Sequence, residues 1–538
     1  MKRNGVTLEL NMIDMHKFTA MLAISLAFGA CANLAAQATG KIELQMEEEE
    51  AGDLLTCRVR MRGANVRELR IRGALHQSGW NLVESPLKYE GRAGDYQYEI
   101  SHGPQFSRGL GGFTLDRKSE AIDVIRLPRH CDLDVEGWRG GDLLAYVKPE
   151  ETARWLTAED LSMAVVVHST EAKAGVARSN VNSDEKSVTT ADANSEQAKS
   201  TDKAVARVSG EGKRWVDAQS YQDARPGSGL SLHHWSPGRD VPEWVPSSKL
   251  LVMAKEQAGT FAEIQRLWAR DVPIWLASGK IDGVQVLSDH LTIEGEGAAR
   301  VSTPPNIDEA MYRGPRGPGR MVEQIYWQLL ETGLRIPPTA GSGFGRTPSP
   351  LGYNRVYVMT GNPDPAAWWQ SLRDGQNFVT SGPLLRASVN ECLPGNVFTS
   401  DEKPIELDID LKLTVADPVE YLDVVFNGRT LYQARLDEYA KQGGKIPPQT
   451  IKESGWLVIR VVTEREFTYR IATTAPFYFE FDSVPRISRE AVEFFQAWLD
   501  RTDKQIAAEP EQVRNGAAPY VNSAKRFWTE RLIKANAP

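Results

Sequence analysis

The run Ala164-Val165-Val166-Val167 is the stretch that decides the fold class, because four consecutive apolar residues after a helix predict a buried strand. The preceding helix opens at Pro149-Glu150-Glu151-Thr152 and carries Leu156, Glu159 and Asp160. The alternation continues with helices predicted over 260–269 and 320–332, and strands over 249–252, 272–276 and 284–287. This pattern predicts an α/β domain on parallel strands over residues 137–370.

The regions on both sides of this domain have a period of two instead. Ile42, Leu44 and Met46 alternate with polar residues, and so do the apolar residues between Ile405 and Val415. Such alternation predicts an N-terminal β-sandwich over 39–136 and a C-terminal β-sandwich over 371–485. Asn427-Gly428 predicts a hairpin turn, and Ser488 predicts the cap of the first of two helices within 486–538. The expected fold class is α/β plus all-β.

Two segments are expected to lie outside these domains. Residues 1–38 have the layout of a leader with a secretory signal peptide that starts at Met15 and ends at Ala36-Gln37-Ala38. A lipoprotein signal through Cys31 is the less favoured alternative. Residues 171–213 lack aromatic residues, Leu and Ile, which predicts a disordered insertion. The mature protein is therefore expected to be exported to the periplasm or the medium, with no transmembrane segment.

Composition excludes several classes of protein. The chain has 538 residues, of which 41% are hydrophobic and 25% charged, as is ordinary for a globular protein. Its 63 basic and 71 acidic residues give a net charge of −8, which argues against a general nucleic-acid binder. Three cysteines follow the leader, and pairing of Cys57 with Cys131 is left open.

Standard catalytic motifs are missing. The chain has no P-loop, no His-Glu-x-x-His zinc helix, no Gly-x-Ser-x-Gly elbow and no Cys-x-x-Cys pair. The glycine-rich segment Gly341-Ser342-Gly343-Phe344-Gly345 is interpreted as a tight turn, since a lone Gly/Ser loop is weak support for a phosphate site.

The order of several short motifs is more informative. They are His102-Gly103-Pro104-Gln105-Phe106, the segment 137–143, Ala158-Glu159-Asp160-Leu161, and the segments 336–343, 352–358, 369–372 and 375–383. This series, spanning about residues 95 to 500, resembles the CehA/McbA-type branch of the polymerase-and-histidinol-phosphatase (PHP) metallohydrolases. The resemblance implies a distorted β/α barrel that holds two or three metal ions, flanked here by β-sandwiches.

The resemblance is degenerate at the metal-ligand positions. The family continues the segment that matches Gly141-Asp142-Leu143 with His-x-His, whereas this chain has Leu144 and Tyr146. An isobutyl group offers no lone pair, and a phenol with a pKa of about 10 is a poor ligand at neutral pH. The turn Ala340-Gly341-Ser342-Gly343 also lacks the carboxylate that many PHP proteins place there.

Four residues remain as vestigial metal-ligand candidates: Glu159, Asp289, His290 and His233. The neighbouring His234 is interchangeable with His233 in this respect. The alternative for Glu159 is an ion pair with Arg154 or Arg139, and for His290 a capping or hydrogen-bonded role. Metal binding needs three or four donors that converge at about 2.0–2.2 Å from one ion.

The preferred interpretation is an exported PHP-like protein that has lost metal-dependent hydrolase activity and acts as a binding or structural module in the cell envelope. It predicts no cofactor and, as partner, a glycan or another envelope protein. Trp368, Trp369 and Trp235 are candidates for carbohydrate stacking if they are exposed, whereas burial in the core is the default expectation for tryptophan. The alternative is an active hydrolase for a phosphoester or amide-like substrate, with a rearranged site that holds one divalent metal ion (Zn, Mn or Fe). In a third interpretation the likeness is only architectural.

Overall fold

A computed structural model describes residues 39–63, 68–169, 206–207, 214–238, 240–361, 363–402 and 404–538. The predicted leader, including Met15 and Cys31, lies outside the described residues, and so does most of the predicted insertion. In the part of the chain that the structure describes, no helix is both long and apolar enough to span a membrane.

The N-terminal region consists of eight strands in two sheets. The strands are β1 (Thr39–Glu48), β2 (Thr56–Arg62), β3 (Leu75–Gln77), β4 (Trp80–Glu84), β5 (Leu87–Arg92), β6 (Gly94–Ser101), β7 (Gly109–Leu115) and β8 (Glu120–Leu127). One sheet has the order β5-β1-β8 and the other β3-β4-β2-β6-β7. Their inward-facing residues, among them Leu44, Met46 and Ile100, share one core. The alternating apolar residues thus face that core, as a period of two requires.

The α/β region follows. Its strands are β9 (Trp138–Ala145), β10 (Met163–Ser169), β11 (Ala206–Arg207), β12 (Trp215–Asp223), β13 (Leu230–His233), β14 (Phe261–Ile264), β15 (Gly283–Leu287), β16 (Pro338–Ala340) and β17 (Arg355–Met359). Its helices are α1 (Pro149–Ala158), α2 (Ser247–Lys255), α3 (Val272–Ala277), α4 (Gly317–Glu331) and α5 (Pro365–Arg373). The helix predicted to open at Pro149 and the buried strand after it are confirmed as α1 and β10.

The C-terminal region is again rich in strands and ends in two helices. The strands are β18 (Asn377–Thr380), β19 (Leu384–Val389), β20 (Val397–Ser400), β21 (Ile405–Leu407), β22 (Ile409–Thr414), β23 (Val419–Phe426), β24 (Arg429–Ala434), β25 (Gln449–Ile451), β26 (Gly455–Thr463), β27 (Ile471–Thr474) and β28 (Phe477–Phe481). The helices are α6 (Leu436–Lys441), α7 (Arg489–Ala507) and α8 (Glu511–Ile533). Ser488 caps α7 through its side chain, and Asn427 and Gly428 form the β23–β24 turn with positive φ, as predicted.

Three predictions within the α/β region are wrong. Residues 249–252 and 272–276 belong to helices α2 and α3 rather than to strands, because short apolar runs do not distinguish the two structures. Pro273 in the first turn favours helix α3. Conversely, the helix predicted over 260–269 contains strand β14, whose two edges are hydrogen-bonded to β13 and β15. Neighbouring strands thus override local helix spacing here.

The long alternating run between Ile405 and Val415 is two strands, β21 and β22, not one. They meet at Asp408, whose backbone N–H donates to the Asn390 side chain at 2.7 Å instead of to a neighbouring strand. A side chain that competes for a backbone donor interrupts the ladder at that residue.

One sheet path connects the α/β and C-terminal regions. Its order is β16-β15-β14-β13-β12-β10-β9-β17-β18-β27-β26-β23-β24. The pairs β14–β15, β15–β16, β9–β10 and β10–β12 are parallel, whereas β13 is antiparallel to both its neighbours. A single bridge joins Ala145, at the end of β9, to Phe344 beyond β16. The architecture is mixed α/β with many strands, and a closed barrel stays a prediction.

Candidate functional site

The carboxyl ends of the parallel strands lie at one edge of the α/β sheet and carry polar side chains. Tyr146 follows β9, Gln222 lies at the end of β12, Gln265 follows β14, and Asp289 comes two residues after β15. In sheets of parallel strands, ligand-binding residues are usually presented at this edge. It is therefore the first place to look for a site.

These side chains form a continuous chain of hydrogen bonds. Tyr146 Oη donates to Gln222 Oε1 at 2.8 Å, and Gln222 Nε2 donates to Gln265 Oε1 at 3.2 Å. Gln265 Nε2 in turn donates to Ser288 Oγ at 2.9 Å and to Asp289 Oδ1 at 3.0 Å. Gln222 and Gln265 thus each accept a hydrogen bond from one neighbour at Oε1 and donate one to the next neighbour from Nε2.

The chain continues inward to a buried carboxylate. Ser288 Oγ donates to Gln285 Oε1 at 2.8 Å, and Gln285 Nε2 donates to Glu263 Oε2 at 2.7 Å. His233 Nε2 lies 3.1 Å from the same oxygen, and the Thr339 hydroxyl donates to Glu263 Oε1. All five side chains are completely buried. We call these nine hydrogen-bonded residues the amide network: Tyr146, Gln222, Gln265, Ser288, Asp289, Gln285, Glu263, His233 and Thr339.

The amide network does not fit a cluster of metal ions. Three of its members are neutral amides, and both carboxylates already accept hydrogen bonds from its other members. A site with two or three metal ions needs more anionic and imidazole donors than this. Among the residues that the structure describes, no three His, Cys, Asp or Glu side chains are grouped closely enough to hold a metal ion.

Leu144 and Tyr146, at the positions where the resemblance implies His-x-His, both make packing contacts. Leu144 is completely buried. A Cβ atom added to Gly341 would lie only 2.4 Å from the Leu144 Cβ, so the close packing of Leu144 against this backbone requires glycine at position 341. Tyr146 is covered by the Arg346 guanidinium, 3.8 Å from the ring centre. Burial raises the pKa of the Tyr146 phenol above its usual value, which keeps it a neutral hydrogen-bond donor.

Glu159 lies apart from the other three candidates. It follows α1 and is completely buried, with Oε1 2.7 Å from Arg58 Nη1 and Oε2 3.4 Å from Arg355 Nη2. The ion pairs predicted with Arg154 or Arg139 are wrong, because those two side chains pair with Glu84 and Asp134. The partner Arg58 comes from strand β2, about a hundred residues away, which local spacing does not predict.

The other three candidates lie in or beside the amide network. Both ring nitrogens of His233 are hydrogen-bonded. Nδ1 lies 3.1 Å from Ser220 Oγ, and Nε2 lies 3.1 Å from Glu263 Oε2. Asp289 belongs to the network, and burial raises the pKa of its carboxyl group although Arg266 Nη2, 3.7 Å away, opposes the shift. The structure therefore brings His233 and Asp289 into one hydrogen-bonded chain.

His290 points elsewhere. Its ring packs edge-on against Trp268 with 5.0 Å between ring centres, and neither ring nitrogen has a hydrogen-bond partner among the described residues. Burial lowers its pKa to about 3, so the ring is neutral at pH 7. The predicted capping or hydrogen-bonded role for His290 is therefore wrong. His234 forms a separate pair with Asp217, at 2.8 Å.

Most of the amide network has no sequence motif. No spacing pattern marks Gln222, Gln265, Gln285, Glu263 or Thr339, because isolated amide, carboxyl and hydroxyl side chains have no characteristic spacing. A usable signal was nevertheless present: one polar residue interrupts each of the otherwise apolar strands β14 and β15. A lone polar residue in a buried strand needs a partner, which predicts a polar contact between neighbouring strands.

The tryptophans proposed for carbohydrate stacking are not exposed. Trp368 and Trp369 are 0% and 2% exposed, and Trp235 is 7% exposed. Helix α5 holds the first two against the sheet, where Trp368 Nε1 donates to the Arg139 carbonyl and Trp369 packs against His233. They belong to the core, as the default expectation for tryptophan predicts, and are not available for carbohydrate stacking. Cys57, Cys131 and Cys392 are all free thiols.

An open cleft lies beside the amide network. It has a volume of about 680 Å³ and is lined by Arg266, Arg270, Arg300 and Arg501 together with the edges of Trp268 and Trp498. Arg270 pairs with Asp271 and Glu509, and Arg266 contacts Asp289. In the described part of the chain, neither Arg300 nor Arg501 forms an ion pair. We call this feature the basic cleft.

Comparisons with known proteins give little that bears on this chain. No family model matches it, and no curated protein matches it. Among solved structures, a two-domain protein from Bacteroides vulgatus, described as containing a predicted PHP-like metal-dependent phosphoesterase, is similar over 63% of this chain and 94% of its own, with 10% identity and a TM-score of 0.29. The Bacillus anthracis TIE protein is similar over 20% of this chain and 19% of its own, also with 10% identity, and a TM-score of 0.15. Both TM-scores are too low to support a conclusion about the fold or the function of this chain.

Proposed function

We propose that this chain is an exported PHP-like protein that has lost metal-dependent hydrolysis and serves as a binding module in the cell envelope. The observation that carries the proposal is the amide network at the sheet edge, where the resemblance implies a metal cluster. Its glutamines connect the strand ends by hydrogen bonds, because each amide supplies both a donor and an acceptor. The network then acts as a scaffold for the neighbouring basic cleft.

The partner we propose is an envelope glycan that carries carboxylate or phosphate groups. Arg300 and Arg501 line the basic cleft without a carboxylate partner among the described residues. A guanidinium group presents a planar pair of donors that matches carboxylate and phosphate oxygens, which supports an anionic ligand. A cleft of about 680 Å³ is within the usual range of ligand pockets.

Metal analysis of protein purified without chelators tests the loss of hydrolysis. We expect no stoichiometric transition metal. Two or more bound ions per chain would contradict the proposal.

Binding to an acidic and to a neutral polysaccharide of matched length, measured by isothermal titration calorimetry, tests the partner. We expect binding to the acidic polymer only, weakened about tenfold in Arg300→Gln because one charge-assisted hydrogen bond is lost. Arg154→Gln, which removes an exposed arginine paired with Glu84, is the matched control. If the chain binds another envelope protein and neither polysaccharide, the partner is a protein and the glycan proposal is wrong.

Export is tested separately by fusing residues 1–38 to a reporter that folds only outside the cytoplasm. We expect reporter activity with the native leader and none when the apolar run is interrupted by charged residues. An inactive native fusion would contradict the envelope location.

The alternative is a hydrolase that holds one divalent ion. The observation that favours it is His290, which is buried next to Asp289 and whose two ring nitrogens have no hydrogen-bond partner within the described ranges of the chain. One stoichiometric Zn, Mn or Fe ion, together with hydrolysis of a phosphoester or amide that His290→Ala abolishes, would establish this alternative. Glu159 is excluded from that site by its two arginine partners.

A further inference from the structure

A second, smaller cavity lies where the N-terminal, α/β and C-terminal regions meet. It has a volume of about 50 Å³, and four arginines line it, contributed by all three regions: Arg58, Arg108, Arg355 and Arg470. A single water needs roughly 10–15 Å³ of such space, so the cavity has room for about four water-sized atoms. That is the size of a tetrahedral oxyanion.

The guanidinium groups are held in place rather than displayed on the surface. Arg58, Arg355 and Arg470 are 6%, 5% and 9% exposed. Arg58 and Arg355 share Glu159, and Arg355 Nε also donates to the Gly352 carbonyl. Arg58 Nε has no hydrogen-bond partner in the described part of the chain. The guanidinium packs over the Trp80 ring, with 4.6 Å between Arg58 Cζ and the ring centre, so this shielded N–H is not a donor that the cavity can use.

Two glycines let the backbone approach this cavity. Gly382 lies against Arg470, because a Cβ added there would come within 2.2 Å of the Arg470 Nε atom. Gly103 has a positive φ of 73°, and an added Cβ would lie 2.5 Å from the Glu159 carbonyl oxygen. Both positions line the cavity and exclude a larger residue.

Charge does not balance at this site. Three carboxylates pair with the lining arginines: Glu159 with Arg58 and Arg355, Glu99 with Arg108 at 3.6 Å, and Asp417 with Arg470 at 2.8 Å. Asp417 also pairs with Arg465. The three buried guanidinium groups, those of Arg58, Arg355 and Arg470, share two buried carboxylates, which leaves one buried positive charge in excess. The partly exposed Arg108 and Arg465 add two positive charges and Glu99 one negative charge, so the whole group has two more positive than negative charges. Buried charge is stabilised by a partner of opposite sign. We call these five arginines and three carboxylates the arginine cluster.

We propose that the cavity of the arginine cluster binds a single inorganic oxyanion of charge −2, phosphate or sulfate, which joins the three regions of the chain. The site is separate from the basic cleft, and the proposal does not depend on the proposed function. A space of about 50 Å³ is filled by one oxyanion, so the proposal is made for the free inorganic anion, and a sugar phosphate tests that restriction.

Thermal unfolding of the full chain at constant ionic strength tests the proposal, with inorganic phosphate, sulfate, chloride and a phosphorylated sugar as probes. A ligand that binds only the folded state raises the Tm in a saturable, concentration-dependent manner. We expect this from phosphate and sulfate but not from chloride or the sugar phosphate. Absence of a saturable shift with both oxyanions would overturn the proposal, and an equal shift with the sugar phosphate would overturn its restriction to inorganic anions.

Two variants at the rim of the cavity have effects of opposite sign. Arg108→Gln removes a half-exposed lining guanidinium and should weaken phosphate binding about tenfold, the value of one charge-assisted hydrogen bond. Glu99→Gln leaves Arg108 without its carboxylate partner and should strengthen binding about threefold, since the competing charge is lost. If Arg108→Gln binds phosphate as well as the natural chain, the proposal is wrong.

Two controls identify the cavity as the place of binding. Arg126→Gln removes an exposed arginine paired with Glu47 in the same N-terminal region, and should leave phosphate affinity unchanged within about twofold. Arg300→Gln alters the basic cleft and should also leave it unchanged. If Arg300→Gln abolishes the phosphate effect, the anion binds in the cleft and the cavity proposal fails, whereas the proposed function does not.

Discussion

The amide network and the arginine cluster are two solutions to the same problem, the burial of polar side chains between strands. The amide network connects strand ends mostly through neutral groups, so that few charges lose their hydration. The arginine cluster instead buries full charges contributed by different regions of the chain, Arg58 from β2, Glu159 after α1 and Arg355 from β17. Of the four sequence candidates for metal ligands, His233 and Asp289 belong to the amide network and Glu159 to the arginine cluster, whereas His290 belongs to neither.

This difference predicts how each region responds to the loss of one group. A neutral hydrogen bond contributes about 0.5–1.5 kcal/mol, whereas an unpaired buried charge costs several times more. The arginine cluster should therefore be sensitive to a single substitution, and the amide network should lose stability in small steps. Equal sensitivity of the two regions would contradict this interpretation.

The largest effect is expected for Glu159→Gln. The substitution leaves Arg58 and Arg355 buried without a carboxylate, and we expect the free energy of unfolding to fall by about 3–5 kcal/mol. Urea denaturation measures the change. Glu84→Gln, which removes the exposed partner of Arg154, is the matched control and should cost less than about 1 kcal/mol. A loss for Glu159→Gln as small as that of the control would show that the cluster is solvated.

Next in size is Gln285→Leu, in the middle of the amide network. The change removes the donor to Glu263 and the acceptor of Ser288, so we expect a loss of about 2–3 kcal/mol in the same denaturation assay. Gln433→Leu is the control, because Gln433 donates to Asp423 at 2.8 Å from a partly exposed position. Equal losses in the two variants would mean that burial does not increase the contribution of these hydrogen bonds to the free energy of unfolding.

A smaller effect is expected for Tyr146→Phe at the outer end of the network. Gln222 Oε1 then loses its phenol donor, which should cost about 1 kcal/mol, with the contact between the ring and Arg346 retained. Tyr432→Phe removes a similar but exposed hydrogen bond to Gln442 and should change the unfolding free energy by less. A loss of metal content in Tyr146→Phe would instead identify the phenol as a ligand.

The smallest effect, and the only gain, is expected for Asp289→Asn. Burial raises the pKa of Asp289, so the folded state binds its proton more tightly than the unfolded chain does. The contribution of Asp289 to the free energy of unfolding is fully present below about pH 3.9, and it is lost as the pH rises through the raised pKa of the folded state. Asparagine should therefore stabilise the protein at pH 8 and not at pH 3.5.

Urea denaturation of both proteins at the two pH values measures this difference. Asp289→Asn retains Oδ1 as the acceptor for Gln265. A destabilised variant at pH 8 would mean that Arg266 holds the ionised form of Asp289, and the amide network would then resemble the arginine cluster more closely.

The secondary structure could be predicted where one signal dominated. Alternation at Ile42, Leu44 and Met46 located β1, and the Pro149 motif located α1. The errors fell on short apolar runs: residues 249–252 and 272–276 are helices, and β14 replaces a predicted helix. Four or five apolar residues fit either structure, and hydrogen bonding to β13 and β15 made the choice for β14.

The sequence by itself determined the mixed architecture and the absence of the His-x-His pair, because hydrophobic period and residue type are local properties. Only the tertiary structure decided what the remaining polar residues do. Glu159 is bound to arginines from β2 and β17, and Asp289 and His233 are linked through glutamines from different strands. Contacts between residues this far apart in the chain depend on how strands are paired, and no local pattern records that pairing.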